Sequence, residues 1–417
     1  MTVRTAEDLV GRLDFLIAQH DEVRGRQTLS LVAAHNILGP KARAALSSWL
    51  ADKAGSGRPG QRSHGGTEFL DELESLTVDL ARRLFHCEYV ELRPMGGSMA
   101  NQMVAYALLR PGDTSLCLPP PVGHKSYLEA GLPGLHGVRV VHAPYDWSGM
   151  NVDAEACAQA ILTVRPRAVF VGSAQILYPY PLGVLREAAE RVGAAIVYDA
   201  AHVLGLIAGG QFQDPLAEGA TVMTGSTHKT LPGPMGGIIL TGNRELGLAV
   251  QRVGDRLVSN YQNNRIAALA FALVEMERYG PEFAAGMIRN ARALARALVA
   301  RGASVLGHAP DYTDSHILLL DTAATAHPDG SQANARLTDC GIAASSVSLP
   351  ERRPGTEPRR GLRLGSNDTA RLGMGEPELE RVADLLVRAL ITSEPADRIR
   401  ADVRAFMRNF THVHFAV

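Results

Sequence analysis

Thr224-Gly-Ser-Thr-His-Lys-Thr-Leu-Pro-Gly-Pro-Met-Gly-Gly237 follows a short apolar run, Ala220–Met223, that reads as a buried strand. It carries Lys229, one of only four lysines in a chain with 38 arginines. A lysine boxed in by Ser, Thr, His and Gly at a strand end is poorly suited to be a solvated charge. It suits an amine desolvated enough to lose its proton and condense with an aldehyde, as lysines that hold pyridoxal phosphate do. A loop lysine that binds an anion fits the same stretch equally well.

About thirty residues earlier, Ala194-Ala-Ile-Val-Tyr198 reads as a second buried strand, ending in Asp199-Ala-Ala-His202. An acid at a strand's carboxyl end can sit beside a pyridine nitrogen and keep it protonated, which makes the ring an electron sink. His202 then lies within reach of the ring's phenolic side. A third element, Arg93-Pro-Met-Gly-Gly-Ser-Met-Ala-Asn101, runs from strand-like Glu88–Leu92 through a glycine turn into an apolar helix, Met99–Leu109. Gly96, Gly97 and Ser98 offer N–H groups and a hydroxyl to a phosphate at that helix's positive end. Strand-end aspartates and Gly-Gly-Ser caps are each common. Together the three supply a phosphate cradle, a ring-nitrogen acid and a cofactor lysine in chain order.

With these residues in place, the chain resembles the serine hydroxymethyltransferase family of pyridoxal-phosphate enzymes, which have the aspartate-aminotransferase-like fold. The resemblance spans nearly the whole length. It includes Gly65-Gly-Thr-Glu-Phe-Leu-Asp71, Gly97-Ser-Met-Ala-Asn101, Leu108-Leu-Arg-Pro-Gly-Asp113, Asp199-Ala-Ala-His-Val-Leu-Gly-Leu206, Thr227-His-Lys-Thr230 and Gly361-Leu-Arg-Leu-Gly365. Thr-His-Lys-Thr followed by Gly-Pro-x-Gly-Gly is specific to that family. The resemblance implies an α/β, fold-type I enzyme: a mostly parallel seven-stranded sheet with helices on both faces, plus a smaller α+β C-terminal domain. It also implies that Lys229 holds pyridoxal 5'-phosphate, Asp199 pairs with the ring nitrogen, Ser98 and His228 lie near the phosphate, and Gly97 and Ser226 belong to the cofactor-binding set. His124 falls where the family stacks a histidine on the ring, Ser173 and His202 near the phenolic oxygen, and Arg363 where it grips the substrate carboxylate. A homodimer, or a tetramer, with shared active sites is expected on the same ground.

The departures are informative too. Where the family has Tyr-x-Glu-Gly-x-Pro-Gly, this chain reads Ala54-Gly-Ser-Gly-Arg-Pro-Gly60. The glutamate used for proton transfer and folate binding is thus Ser56, and a tyrosine near the substrate is Ala54. The paired tyrosines that follow are Ser63 and His64, and the usual Ala-Ser-Glu-Asn is Ala33-Ala-His-Asn36, which places Ala34, Ser56 and His64 on the substrate side. An asparagine that touches the pterin aligns with Val347. The Gly-rich loop that a neighbouring subunit lends to the phosphate is replaced by Ser259-Asn-Tyr-Gln-Asn-Asn264. The cofactor half of the site is kept and the folate half is dismantled.

Composition sets limits around this reading. A chain of 417 residues, 46% hydrophobic, can bury a large core. No run approaches a transmembrane span and the N-terminus lacks a signal peptide's apolar core, so a cytoplasmic location is expected. Cys87, Cys117, Cys157 and Cys340 form no Cys-x-x-Cys pair, which indicates neither a metal site nor a disulfide framework and leaves reduced, buried thiols as the expectation. A net charge of −1 gives no field for holding nucleic acid. The arginine run Arg352-Arg353 and Arg359-Arg360 reads as a solvated loop, or as a contact to an anionic substrate.

Residues 1–55 read as helical and amphipathic, followed by a Gly-rich connector, Gly55–Gly66. Helical patterns (Leu70–Leu84, Ala154–Val164, Leu185–Val192) then alternate with apolar strands (Val138–His142, Ala168–Gly172, Ala195–Asp199, Ala220–Thr224, Gly237–Thr241), which means a mostly parallel sheet with sites at the strands' carboxyl ends. A helix Pro281–Arg301 reads as the bridge to a smaller domain with strands His316–Asp321 and Gly361–Gly365 and a helix Pro377–Leu390. The expected division is an arm and connector, 1–66, a cofactor-binding domain, 67–280, and a small domain, 281–417.

The expected chemistry is carbanion chemistry at Cα of a β-substituted amino acid. Cleaving a β-hydroxy amino acid needs a base on the β-hydroxyl, and with the glutamate gone His64, His124 and His35 are the candidates. Exchanging Tyr for Ala54 and Glu for Ser56 also deletes bulk, which suits a β-substituent larger than that of serine. Folate-independent aldolase, transaldolase or hydroxymethyltransferase chemistry in specialised metabolism is the leading expectation. The alternatives are β-elimination (C–S bond cleavage), decarboxylation or deamination of a bulky S-conjugated amino acid, an ordinary serine hydroxymethyltransferase, and a non-catalytic regulatory binder.

Overall fold

The structure, a computed structural model, describes residues 5–350 and 359–417; Arg352 and Arg353 lie outside the described residues. The central sheet has seven strands: β1 Tyr89–Glu91, β2 Thr114–Cys117, β3 Arg139–His142, β4 Ala168–Val171, β5 Ala195–Asp199, β6 Val222–Ser226 and β7 Gly237–Thr241. Their order is β1-β7-β6-β5-β4-β2-β3. Every neighbouring pair is parallel except those that β7 makes with β6 and β1. Strands β4, β6 and β7 are buried at every position, as a sheet covered by helices on both faces requires. The Ala220–Thr224 strand expected from hydropathy is shifted by two residues, because Gly225 and Ser226 continue the ladder against β7.

One glycine is dictated by close approach. Gly172, just past β4, has φ +144°, and a Cβ there would stand 2.5 Å from the Cβ of Asp199. A side chain at 172 would therefore be strained and would push on the acid at the end of β5.

The smaller sheet comprises β8 Ser304–Leu306, β9 Ile317–Asp321, β10 Ser345–Ser348 and β11 Arg360–Gly365, in the antiparallel order β8-β9-β11-β10. Arg359 pairs with Asp321 at 2.9 Å, and Arg360 donates to the hydroxyls of Ser331 and Ser346, so neither is a free solvated charge.

Two expectations about helices are corrected. The bridging helix begins at Asn263 and not at Pro281, running unbroken to Ala300 with the proline inside it. An interior proline costs about 3 kcal/mol, yet Ile266, Leu269, Leu273, Met276, Phe283, Met287, Leu294 and Leu298 are buried along the same helix and outweigh it. Nor is the segment 1–55 helical throughout. Helices Ala6–Arg26 and Pro40–Leu46 flank an extended stretch in which Leu29-Ser30 pairs in parallel with Ile342-Ala343. Leu29, Leu31 and Ala33 are buried, a period-2 pattern that fits a strand.

That extended stretch is anchored by a buried ion pair. Arg371 and Glu275 are 0% and 1% exposed and meet at 2.5 Å. The Arg371 guanidinium also donates to the carbonyls of Ile37 and Phe415, joining the N-terminal loop to the chain's last residues. Removing either partner of such a pair typically costs about 3–5 kcal/mol, because the other is left charged and buried.

Candidate active site

The carboxyl ends of β5 and β6 and the helix after β1 converge. Asp199 is the last residue of β5, Lys229 lies three residues past β6, and helix Gly97–Leu108 starts six residues after β1. Gly96 caps that helix without a side-chain acceptor, so its first-turn N–H groups stay available beside exposed Ser98. A Cβ on Gly97 would lie 2.5 Å from Ser226 Oγ, which places Ser226 against the turn.

Burial governs the electrostatics. It brings the Lys229 amine down from 10.5 to about 8, with the cation of Arg363 pushing the same way and Asp199 opposing. Burial, helped by Lys229, lowers His228 to about 4 and holds His202 well below its usual value. His124 is lowered by burial and by Lys229, against the pull of Asp199. Arg363 is brought down to about 10 by burial alone. One of its terminal nitrogens donates to Ala174 O at 2.8 Å, while its Nε is buried without a partner among the described residues. A buried guanidinium with no acid beside it among those residues is an unmet demand for an anion.

Several residues that organise the site were not singled out by sequence. Asn101 donates to Asp199 Oδ2 at 2.7 Å and accepts from Thr224 Oγ1 at 2.6 Å, while Ala201 N–H donates to Asp199 Oδ1. Ser126 lies between Asn101 and His124. Thr230 Oγ1 donates to His202 O and accepts from Gly205 N, fastening the lysine loop to the turn after β5. Asn36 donates to the carbonyl of Lys229 from the N-terminal loop. His316 stacks on His202 with centroids 5.9 Å apart and binds Ala33 O. Their signal was weak because Asn, Ser and Thr look like ordinary helix and loop residues until a fold sets them beside an acid.

The structure thus gathers Gly97, Ser98, His124, Asp199, His202, Ser226, His228, Lys229 and Arg363 at the strand ends. Ser173 is buried beside β4, its hydroxyl accepting from Gln175 N. Ala34 lies in the loop over Lys229, next to His35, whose value burial lowers. Ser56 and His64 flank a small hairpin, Gly57-Arg58 with Gln61-Arg62. Arg58 binds Asp255, and Arg62 binds Asp71 and Glu74. The hairpin's own bonds tie it to those acids and not to the residues around Lys229, and His64 is exposed.

These residues fit pyridoxal phosphate. An amine near 8, an acid held at a strand end, open helix N–H groups, and buried ring nitrogens of His202 and His228 without partners are what its aldehyde, ring and phosphate require.

Comparison with known proteins agrees over nearly the full length. A family model described as serine hydroxymethyltransferase matches residues 13–386. The serine hydroxymethyltransferase of Methanocaldococcus jannaschii is 37% identical, covering 97% of this chain and 94% of its own. That of Pyrococcus horikoshii is also 37% identical, covering 100% and 98%. Among solved structures, the L-threonine transaldolase from Pseudomonas fluorescens, in its internal aldimine state, matches with a TM-score of 0.88 at 25% identity, over 98% of this chain and 94% of that one.

Proposed function

Because the chain belongs to the serine hydroxymethyltransferase family, we propose that it makes or breaks the Cα–Cβ bond of a β-hydroxy amino acid without folate, as an aldolase, transaldolase or hydroxymethyltransferase of specialised metabolism. Family and fold make it a pyridoxal-phosphate enzyme working at amino-acid Cα–Cβ bonds. The bound cofactor supplies a protonated ring that draws electrons from Cα.

The chain's residues do the rest. Lys229 offers a partly deprotonated amine to hold the cofactor's aldehyde. Asp199, fixed by Asn101 and Ala201, keeps the ring-nitrogen proton in place. Gly97, Ser98 and Ser226 surround the phosphate, with His228 beside them. Arg363 takes the substrate carboxylate, and the rotation this imposes sets which bond at Cα faces the ring.

The observation that carries the folate-independent reading is Ser56. A hydroxyl stands where a carboxylate would manage protons, and the acids nearest the hairpin, Asp71, Glu74 and Asp255, are tied to Arg62 and Arg58. Whole-length identity of 37% to proteins named serine hydroxymethyltransferase favours the ordinary folate-dependent reaction as the second reading. Incubation with serine, with and without tetrahydrofolate, separates the two. We expect negligible folate-stimulated glycine formation; strictly folate-dependent turnover at the rate of family members would establish the second reading instead.

We also propose a homodimer with shared sites. Helix Ala6–Arg26 buries none of its residues, and Leu9, Val10, Leu13, Leu16 and Ile17 stand exposed along it. Met95 and Met235, 65% and 74% exposed, line a cavity of about 520 Å³ beside the phosphate turn, together with Ala54 and Tyr261. Exposed apolar surface of this extent, on the helix and beside the phosphate turn, suits a covering partner.

A further inference from the structure

We propose that Asn101 and Ser126 are positioning residues that hold the His124 ring with its only proton on Nε2, so that His124 meets a substrate oxygen as a hydrogen-bond donor. The substrate part rests on the proposed reading of the Lys229 site as an amino-acid site. The proton placement rests on hydrogen-bond directions alone.

Those directions start at Asp199, whose ionised carboxylate can only accept. One oxygen takes the Ala201 N–H at 2.9 Å and the other an Asn101 amide proton at 2.7 Å. The opposite amide orientation would set the Asn101 oxygen against the carboxylate, and Thr224 supports the observed one by donating its hydroxyl to Asn101 Oδ1 at 2.6 Å. The second amide proton of Asn101 goes to Ser126 Oγ at 3.0 Å. Ser126 Oγ lies 2.7 Å from His124 Nδ1, a contact in which a hydroxyl can give or take. The backbone N–H of Ser126 donates to the same nitrogen at 3.2 Å. A backbone N–H has nothing to accept with, so two donors converge on Nδ1 and leave it no room for a proton.

A neutral ring with a bare Nδ1 carries its hydrogen on Nε2. Burial, with Lys229 and Lys125 nearby, favours the neutral form, Asp199 opposing. Among the described residues Nε2 has no partner, so its N–H is free to meet a ligand.

This reverses the expectation that His124 replaces the missing glutamate as a base, because a protonated Nε2 has no lone pair for a β-hydroxyl proton. What it can do is polarise a carbonyl while staying neutral. In C–C bond formation, the electron pair at Cα attacks an aldehyde carbon and the C=O π pair moves onto oxygen. Nε2–H steadies that oxygen by a hydrogen bond and keeps its own proton, while water protonates the alkoxide. Cleavage reverses these steps, and the β-hydroxyl proton leaves to water. The site then suits addition to an aldehyde acceptor, with His124 as its electrophilic contact.

The test is ¹H–¹⁵N correlation across two bonds on histidine-labelled, cofactor-loaded enzyme at neutral pH, with His124→Gln used to assign the ring. We expect an Nε2 of the protonated type and an Nδ1 of the bare, accepting type. Ser126→Ala removes one of the two donors on Nδ1 and should shift the Nδ1 resonance while the remaining backbone N–H keeps the same tautomer, and Ser126→Thr, which restores the hydroxyl, should return the wild-type shift. A proton on Nδ1, a doubly protonated ring, or a Ser126→Ala spectrum identical to wild type would overturn the proposal. The cofactor absorbance band, measured on the same samples, reports separately on the reading of the site: its absence would remove that reading and leave the tautomer result standing or falling by itself.

Discussion

Replacing Arg363 by lysine keeps a cation and removes the fork. Among the described residues one terminal nitrogen is committed to Ala174 O and the Nε is buried without a partner, so the guanidinium has unused donors in a dry place. A charge-assisted hydrogen bond contributes about 1.5–3 kcal/mol. Losing one prong should therefore weaken amino-acid binding by about 10- to 150-fold. Burial adds a second effect, since it takes Arg363 from 12.5 to about 10. The same burial acting on a lysine lowers its amine, so the variant's cation is lost at a lower pH than the wild-type cation, which persists to about 10. The assay titrates glycine or serine into the loaded enzyme between pH 6.5 and 9, following the cofactor's absorbance. We expect wild-type affinity to vary little over this range and the variant to lose affinity progressively as pH rises. Equal affinity in the two proteins, or the same pH profile, would refute the carboxylate role of Arg363.

Borohydride reduction followed by peptide mapping should place the pyridoxyl label on Lys229; a label on Lys41, Lys53 or Lys125 would remove the cofactor assignment. With its amine lowered to about 8, cofactor uptake by the cofactor-free protein should rise with pH through 8 and level off above 9, whereas an ordinary lysine would still be climbing there. Sedimentation should show at least a dimer, and deletion of residues 1–26 should loosen it; a fully active monomer at working concentration would sink the shared-site reading. Gly172→Ala should lose about 1–3 kcal/mol of stability in urea unfolding, because φ +144° is closed to alanine. It should also weaken pyridoxal phosphate binding by displacing Asp199, and an unchanged cofactor affinity would show that the acid is held independently of that turn.

Local pattern made much of this molecule legible before any coordinates. Apolar runs ending in Asp199 and just short of Lys229, and a glycine turn before Gly97–Leu108, specify strand, turn and phosphate cradle through their own backbone preferences. Chain order then sets the parallel sheet that brings them together, since crossover connections leave little choice of topology. The expectation for Arg363 came from the family resemblance, since an arginine inside an apolar strand also fits a structural ion pair. The hydrogen-bond network could not be read this way. Asn101, Ser126 and Thr224 come from a helix, a loop and a strand, and no spacing in sequence announces that one amide will bridge an acid to a histidine.

Tertiary packing also decided matters against local preference. Pro281 marks a helix start by every local rule, yet the helix passes through it because buried apolar contacts on both sides outweigh one lost hydrogen bond. The Leu29–Ala33 stretch is extended because its partner, Ile342-Ala343, is supplied from more than 300 residues away. Side-chain type and strand-end position are local properties, so the sequence was enough to say which residue types stand at the strand ends. Which way the hydrogen bonds around His124 run, and so whether its Nε2 donates or accepts one, was left to the tertiary structure, because that depends on every donor facing the ring at once.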